Sequence, residues 1–305
     1  MKTIQFLRLF IVLAGLVGAG PAFAEKRLAL VVGNQGYAPS VGPLKNPIND
    51  VTRVSSALQA AGFQVTIVRD ADRIALLKAV DRYAKLIGDA GPEATSFFYY
   101  SGHGVARPSD HVNYLIPIDV KDMSDDSVWY RTVSLDYILD TLTQKAPDAS
   151  HFVVFDACRN ELHVPSDAKG APSKSFAPMA GRNGQFIAFS TSPNQTASDK
   201  GENGGPYAIA LASQLTKKGQ DHLAVFQNVR ETVYEATRLS NTPQRPIEVG
   251  SLLQRVYFSG TGSPTRVTVP QRTPADVDQC LAALSTTGMS ATDSVALYKS
   301  CLNPS

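Results

Sequence analysis

The chain has 305 residues, 43% of them hydrophobic and 18% charged, a balance too apolar for a disordered segment and too often interrupted for a membrane bundle. Its first 24 residues hold Lys2 and Arg8 and no acid, so removing them takes the basic count from 29 to 27, against 27 Asp plus Glu. A formally neutral mature chain lacks the basic footprint that nucleic acid or an anionic membrane requires, and partners have to be argued from a site.

The N-terminus reads as a secretory signal peptide over residues 1–24. A positive start precedes an apolar run from Leu9 to Gly20 and a small-residue end at Ala22-Phe23-Ala24, followed by charged Glu25-Lys26. The run is shorter than the roughly 20 residues a span needs and contains three glycines, so a retained anchor fits less well. A periplasmic or secreted protein is the expectation, with no membrane attachment after cleavage.

Strands then alternate with helices. Leu28–Val32 is a continuous apolar run, as for a strand buried on both faces. Pro47 marks a helix start whose stripe is Ile48, Val51, Val54 and Leu58, closed by Gly62. Phe63–Val68 is a second strand. Asp72 can cap the next helix, with Ile74, Leu77 and Val80 as its stripe running toward Leu86 and Ile87, until Gly91-Pro92 breaks it. Phe97–Tyr100 is a third strand opening into Ser101-Gly102-His103-Gly104. A helix with Leu135, Ile138, Leu139 and Leu142 follows, then the strand Phe152–Phe155 leading into Asp156-Ala157-Cys158-Arg159-Asn160. Phe186–Phe189 is a further strand, and helices near Tyr207–Leu215 and Phe226–Ala236 complete the layer. This order predicts an α/β fold, a doubly wound, mostly parallel sheet flanked by helices. The main domain is expected over 25–259, a linker over 260–274 and a small helical tail over 275–305. In an oxidising compartment Cys280 and Cys301 of the tail are expected to pair, leaving Cys158 as the odd thiol that asks for a chemical reason.

His103 and Cys158 both fall just past strand ends, where open α/β sheets bind ligands. On neighbouring strands, imidazole and thiol would share one crevice. Gly102 and Gly104 let backbone approach a substrate, and their amides can face a developing negative charge. Thiol, base and backbone donors together suit acyl transfer by a cysteine nucleophile. A phosphate-binding turn is not supported, because Gly33-Asn34-Gln35-Gly36 lacks the required glycine spacing, and no four-ligand zinc spacing appears.

Four segments carry a family resemblance: Leu30-Val31-Val32-Gly33-Asn34, Leu44-Lys45-Asn46-Pro47-Ile48-Asn49-Asp50, Phe98-Tyr99-Tyr100-Ser101-Gly102-His103-Gly104 and Phe155-Asp156-Ala157-Cys158-Arg159-Asn160. Ala188–Ser192 and Gly205-Pro206-Tyr207 add weaker support. From Arg27 to about Tyr257 the chain resembles a caspase-like domain of the C14 peptidases, closest to metacaspases and bacterial caspase-like proteases. Cys158 lies 55 residues after His103, near the caspase spacing of about 50. The departures are Asp156 where animal caspases have Gln and Asn160 where they have Gly.

The resemblance implies Cys158 as nucleophile, His103 as acid/base partner, and the amides of Gly104 and Cys158 as oxyanion donors. It implies Asp50 and Asp156, with Ser101, as the substrate-binding pocket for the residue preceding the scissile bond. Two carboxylates there invert the animal-caspase preference for Asp, so cleavage of peptide or protein substrates after Arg or Lys is expected. The competing reading is an inactive, protein-binding relative, against which the presence of both His103 and Cys158 argues. No cofactor is chemically needed. Many metacaspases need calcium, but Asp122, Asp125 and Asp126 do not show the spacing of a calcium loop, and no metal ligand is assigned. The long polar segment Glu161–Gly184, with Lys169, Lys174 and Arg182, is expected to be a site of self-cleavage.

Overall fold

The computed structural model describes residues 25–124, 126–158, 177–193, 195, 197–198, 201–241, 243–260 and 265–266. The signal peptide, Lys169, Lys174, Cys280, Cys301 and the helices expected in the tail lie outside the described residues, and of Cys158 only the backbone is described.

The central sheet has the order β2-β1-β3-β6-β7-β8, built from β1 (Arg27–Gly33), β2 (Gln64–Arg69), β3 (Thr95–Ala106), β6 (Ser150–Cys158), β7 (Gln185–Phe189) and β8 (Ile247–Gly250). All pairings are parallel except that of β8, which closes one edge antiparallel to β7. Short strands β4 (Asn113–Leu115) and β5 (Val133–Ser134), the latter preceded by the one-turn helix α3 (Val128–Arg131), extend the far end of β3. This is the mostly parallel α/β sheet expected from the alternation of strands and helices.

The period-two pattern of β3 and β6 explains the two layers. Phe97 and Tyr99 with Phe152 and Val154 face α1 (Pro47–Ala60), α5 (Pro206–Leu215) and α6 (His222–Thr237). Phe98 and Tyr100 with Val153 and Phe155 face α2 (Arg73–Ala90) and α4 (Leu135–Lys145). A third, smaller cluster, including Tyr37, Val41, Leu44, Val105 and Ile116, seals the loops beside β4. Pro47 opens α1, and Asp72 caps α2 by accepting the Ala75 N–H at 2.7 Å, as the sequence indicates.

Two expectations are corrected. In α2 the buried stripe is Leu76, Val80, Tyr83, Ala84 and Ile87, with Leu77 partly buried; of the expected residues Val80 and Ile87 lie on it, whereas Ile74 and Leu86 are exposed, because at 3.6 residues per turn both stand about 120° around the helix from Val80. His103 and Cys158 are not beyond their strands: β3 runs on to Ala106 and β6 ends at Cys158 itself. Within the expected linker, Thr265–Arg266 form β10, antiparallel to β9 (Gln254–Arg255). Two residues of strand carry no hydrophobic pattern for a sequence reading to detect. Among the described residues no helix is long and apolar enough to cross a membrane.

Candidate active site

β3 and β6 are adjacent and parallel, and their register runs Tyr99 against Val154, Ser101 against Asp156 and His103 against Cys158. At the carboxyl ends of the two central strands the expected base and nucleophile positions are therefore direct neighbours, with strands about 4.8 Å apart.

His103 is fully buried. Its Nε2 lies 2.7 Å from the carbonyl oxygen of Gly42. A carbonyl only accepts, so Nε2 carries the proton and the neutral ring holds its lone pair on Nδ1, the tautomer needed if Nδ1 is to take a proton. Gly42 has φ +93°, a conformation open to glycine and strained for other residues. The ring of Tyr37 packs against the imidazole with centroids 4.5 Å apart.

The backbone of β3 sets the direction of the Gly104 amide. Ser101 O accepts the Asn34 N–H at 2.9 Å on the β1 edge, and His103 O accepts the Ile116 N–H at 3.1 Å on the same edge. Peptide groups alternate along a strand, so the Gly104 N–H faces the opposite edge, toward β6. That is the side on which an oxyanion formed at Cys158 would need a donor.

Asp50, Ser101 and Asp156 are brought together on the α1/α5 side of the sheet, all of them buried. Ser101 Oγ donates to Asp50 Oδ2 at 2.9 Å, and the backbone N–H of Gly205 donates to Asp50 Oδ1 at 2.7 Å. Asp50 lies in the first turn of α1 and Gly205 is the N-cap of α5, so two helix N-termini favour negative charge at this point. Asp156 Oδ2 accepts the Tyr99 hydroxyl at 2.8 Å. Burial, and then the nearby charges of Asp156 and Asp50, push the Tyr99 phenol well above its ordinary range, so it stays a proton donor. Burial and Asp156 act on Tyr207 in the same direction.

The sequence reading missed Tyr99, Tyr37, Tyr100 and the Gly42 carbonyl. Tyr99 was detectable, since it stands two residues before Ser101 on a period-two strand. The Gly42 carbonyl was not, because a backbone acceptor in a loop has no residue-type signature. Gly102 serves differently from what was expected: a Cβ there would lie 2.6 Å from the Tyr100 hydroxyl oxygen and 2.8 Å from that of Tyr37, so its bareness makes room for two phenols. Asp122 accepts the Ser124 N–H at 2.8 Å, Asp125 lies outside the described residues, and among those described no group of three or more His, Cys, Asp or Glu is placed to hold a metal ion.

The fold and this register define an α/β protein whose candidate chemistry sits at the carboxyl ends of adjacent central strands. Its family follows from comparison: the caspase domain model of peptidase C14 matches residues 26–258, and the chain belongs to that family of cysteine-type peptidases. It is similar to Metacaspase-1 of Lodderomyces elongisporus and to Metacaspase-1 of Candida albicans, in each case with 29% identity over 153 residues, 44% of this chain. The match spans 33% of either relative's length. Among solved structures, that of pro-sf-caspase-1 shares the fold, with a TM-score of 0.59 and 16% identity over 77% of this chain and 91% of that one.

Proposed function

We propose that the protein is an exported cysteine endopeptidase that cleaves after Arg or Lys with a Cys158–His103 dyad. The observation that carries this reading is the register of His103 against Cys158 at the carboxyl ends of β3 and β6. In the reaction, the Cys158 thiolate attacks the scissile carbonyl carbon, and the C=O electron pair moves to oxygen. The amides of Gly104 and Cys158 stabilise that oxyanion. His103, protonated by the thiol, gives its proton to the leaving amine as the C–N bond breaks, and then deprotonates the water that hydrolyses the thioester.

Basic specificity rests on the buried Asp50 and Asp156, whose carboxylates suit a guanidinium or ammonium group and repel an acidic one. The acyl donor is then an arginyl or lysyl peptide. Self-cleavage in the segment 161–184 is part of the reading, with Lys169 or Lys174 favoured over Arg182. Arg182 is paired with Asp136 at 2.5 Å and with Asp140, and its carbonyl accepts from Gln185 N–H and Ser251 Oγ, which leaves that peptide bond tied down.

Hydrolysis of fluorogenic peptides ending in Arg, Lys or Asp, with and without calcium, tests the proposal. Turnover of the Arg and Lys peptides that disappears in Cys158→Ala is expected. Turnover in well-folded Cys158→Ala, or a preference for the Asp peptide, would overturn it.

A further inference from the structure

His103 stands where β3 changes partner. On the edge shared with β1 the last bond is from Asn34 N–H to Ser101 O, and from Gly104 onward the same edge pairs antiparallel with β4. The rung between His103 and Ile116 joins these two regimes. One half of it is regular, since Ile116 N–H donates to His103 O at 3.1 Å. The other half runs through a side chain: His103 N–H donates to the Tyr37 hydroxyl at 2.9 Å, and that hydroxyl donates to Ile116 O at 2.9 Å.

A second phenol supports the first. The Tyr100 hydroxyl lies 2.8 Å from His103 O, 3.1 Å from Ile116 O and 3.2 Å from the Tyr37 oxygen, so its single proton can serve either carbonyl. Both tyrosines are buried, and burial pushes both phenols up, which keeps the two hydroxyls protonated. Gly102 is the residue whose missing Cβ admits them. The Tyr37 ring also touches the imidazole, so one side chain holds the main chain and the ring of His103 at once.

We infer that Tyr37 is a positioning residue for His103, its hydroxyl wedged into the His103–Ile116 rung and braced by Tyr100. The inference rests on the reading of His103 as the acid/base of the dyad. Without the Tyr37 hydroxyl, Ile116 O can still accept from Tyr100, but the buried His103 N–H loses its acceptor and must either close directly on Ile116 O or stay unsatisfied. Closing the rung rotates the His103 peptide and carries the imidazole away from its place opposite Cys158. A shift of about 1 Å in a reacting group can cost on the order of 100-fold in rate.

The test is Tyr37→Phe, which keeps the ring and removes the hydroxyl. Three quantities are measured on the folded protein: kcat and KM on an Arg peptide, and the pH profile of Cys158 alkylation by iodoacetamide, followed on the Cys158 peptide by mass spectrometry. Expected are a 10- to 100-fold fall in kcat with KM within twofold, and an alkylation profile displaced from wild type toward that of His103→Ala. A purely structural role would lower the melting temperature and leave kcat and the profile of the folded protein unchanged, and that result overturns the inference. A fall in kcat with an undisplaced profile overturns it too, since the phenol would then act elsewhere than through His103. If Tyr37→Phe does not fold, Tyr100→Phe reads the same wedge: a 3- to 10-fold fall in kcat is expected, and wild-type behaviour refutes it. Coincident profiles for wild type and His103→Ala would instead remove the dyad reading itself, which keeps the two failures distinguishable.

Discussion

The two ends of the central sheet each bury a histidine, and on the proposed reading the pair separates a structural imidazole from a chemical one. His151 lies near the amino end of β6 and His103 near the carboxyl end of β3, both essentially without exposure. Each places Nε2 on a backbone carbonyl, Ala146 O at 2.8 Å and Gly42 O at 2.7 Å. The carbonyl bond is thus not the distinguishing feature. His151 stands in register with Gln185 and with Ser96, whose buried hydroxyl is engaged with that of Tyr83 at 3.0 Å, whereas His103 stands in register with Cys158. The carbonyls differ as well: that of Ala146 follows from the end of α4, and that of Gly42 depends on a loop residue with positive φ.

The largest expected effect breaks this comparison if it fails. His103→Ala and Cys158→Ala should each reduce peptide hydrolysis by at least ~10³-fold, because a nucleophile and its base act as a unit. His151→Ala should leave kcat of the folded protein unchanged while lowering its stability. Steady-state kinetics with matched circular dichroism spectra check both. A His151 variant as inactive as the His103 variant would mean that burial on the sheet, and not the register with Cys158, is what counts.

The carboxylates give the next effect. Asp156→Asn retains the shape and an acceptor for Tyr99 but removes the charge opposite a bound cation. Losing one partner of a buried, hydrogen-bonded charge pair costs about 2–5 kcal/mol, which near the lower end is roughly 30- to 100-fold in kcat/KM on Arg peptides. Lys peptides should lose more, since the guanidinium fork retains other hydrogen bonds. Equal kcat/KM for wild type and Asp156→Asn on Arg peptides would take Asp156 out of the pocket.

How much of this was legible in the sequence depends on whether the signal is periodic, local or purely spatial. The sheet's alternation is periodic, so the apolar runs at Leu28–Val32, Phe97–Tyr100, Phe152–Phe155 and Phe186–Phe189 locate β1, β3, β6 and β7. β4, β5 and β9 were invisible because strands of two or three residues have no pattern. The edge strand β8 was also missed: Ile247–Gly250 contains Glu248 and ends in Gly, and its pairing with β7 comes from tertiary contact. At the site, His103, Cys158, Asp50 and Asp156 carry recognisable chemistry at strand and helix ends. Their supports do not, for Tyr37 sits in a loop 66 residues before His103 and acts only through a fold that returns it there.

A smaller effect sharpens the contrast between the two carbonyls. An added Cβ at Gly42 meets nothing within 4 Å, so the cost of Gly42→Ala lies in the backbone conformation alone. A left-handed backbone costs an ordinary residue roughly 1–2 kcal/mol, and relaxing it would turn the carbonyl away from His103 Nε2. A several-fold fall in kcat is expected with KM nearly unchanged. Ala146→Gly, at the corresponding position beneath His151, should not affect kcat at all. If the two substitutions behave alike in stopped assays on folded protein, the Gly42 carbonyl is not orienting the imidazole.

The smallest expected effect is on stability against pH, and it belongs to the structural histidine. Burial pushes His151 below its ordinary value of 6.5, outweighing the Ala146 carbonyl, which favours the charged form. A histidine whose folded pKa is depressed binds fewer protons in the native than in the unfolded chain, so the fold gains stability as pH rises through that window and loses it as pH falls below about 6.5. His222 pulls the same way. It is buried beside Phe152 and Phe186 and accepts the Val256 N–H on Nδ1 at 3.2 Å, a bond that a protonated ring cannot accept. Burial lowers it first, with Asp221 opposing and Arg255 adding to the shift. The melting temperature should therefore drop between pH 7.5 and 5.5, and His151→Asn, which cannot titrate, should drop less even if its absolute stability is lower. For a domain of this size each kcal/mol corresponds to about 2–4 °C, so the difference in slopes is within reach of calorimetry. Parallel curves for the two proteins would show that His151 is not held neutral by the fold, and the distinction between the two ends of the sheet would then rest on catalysis alone.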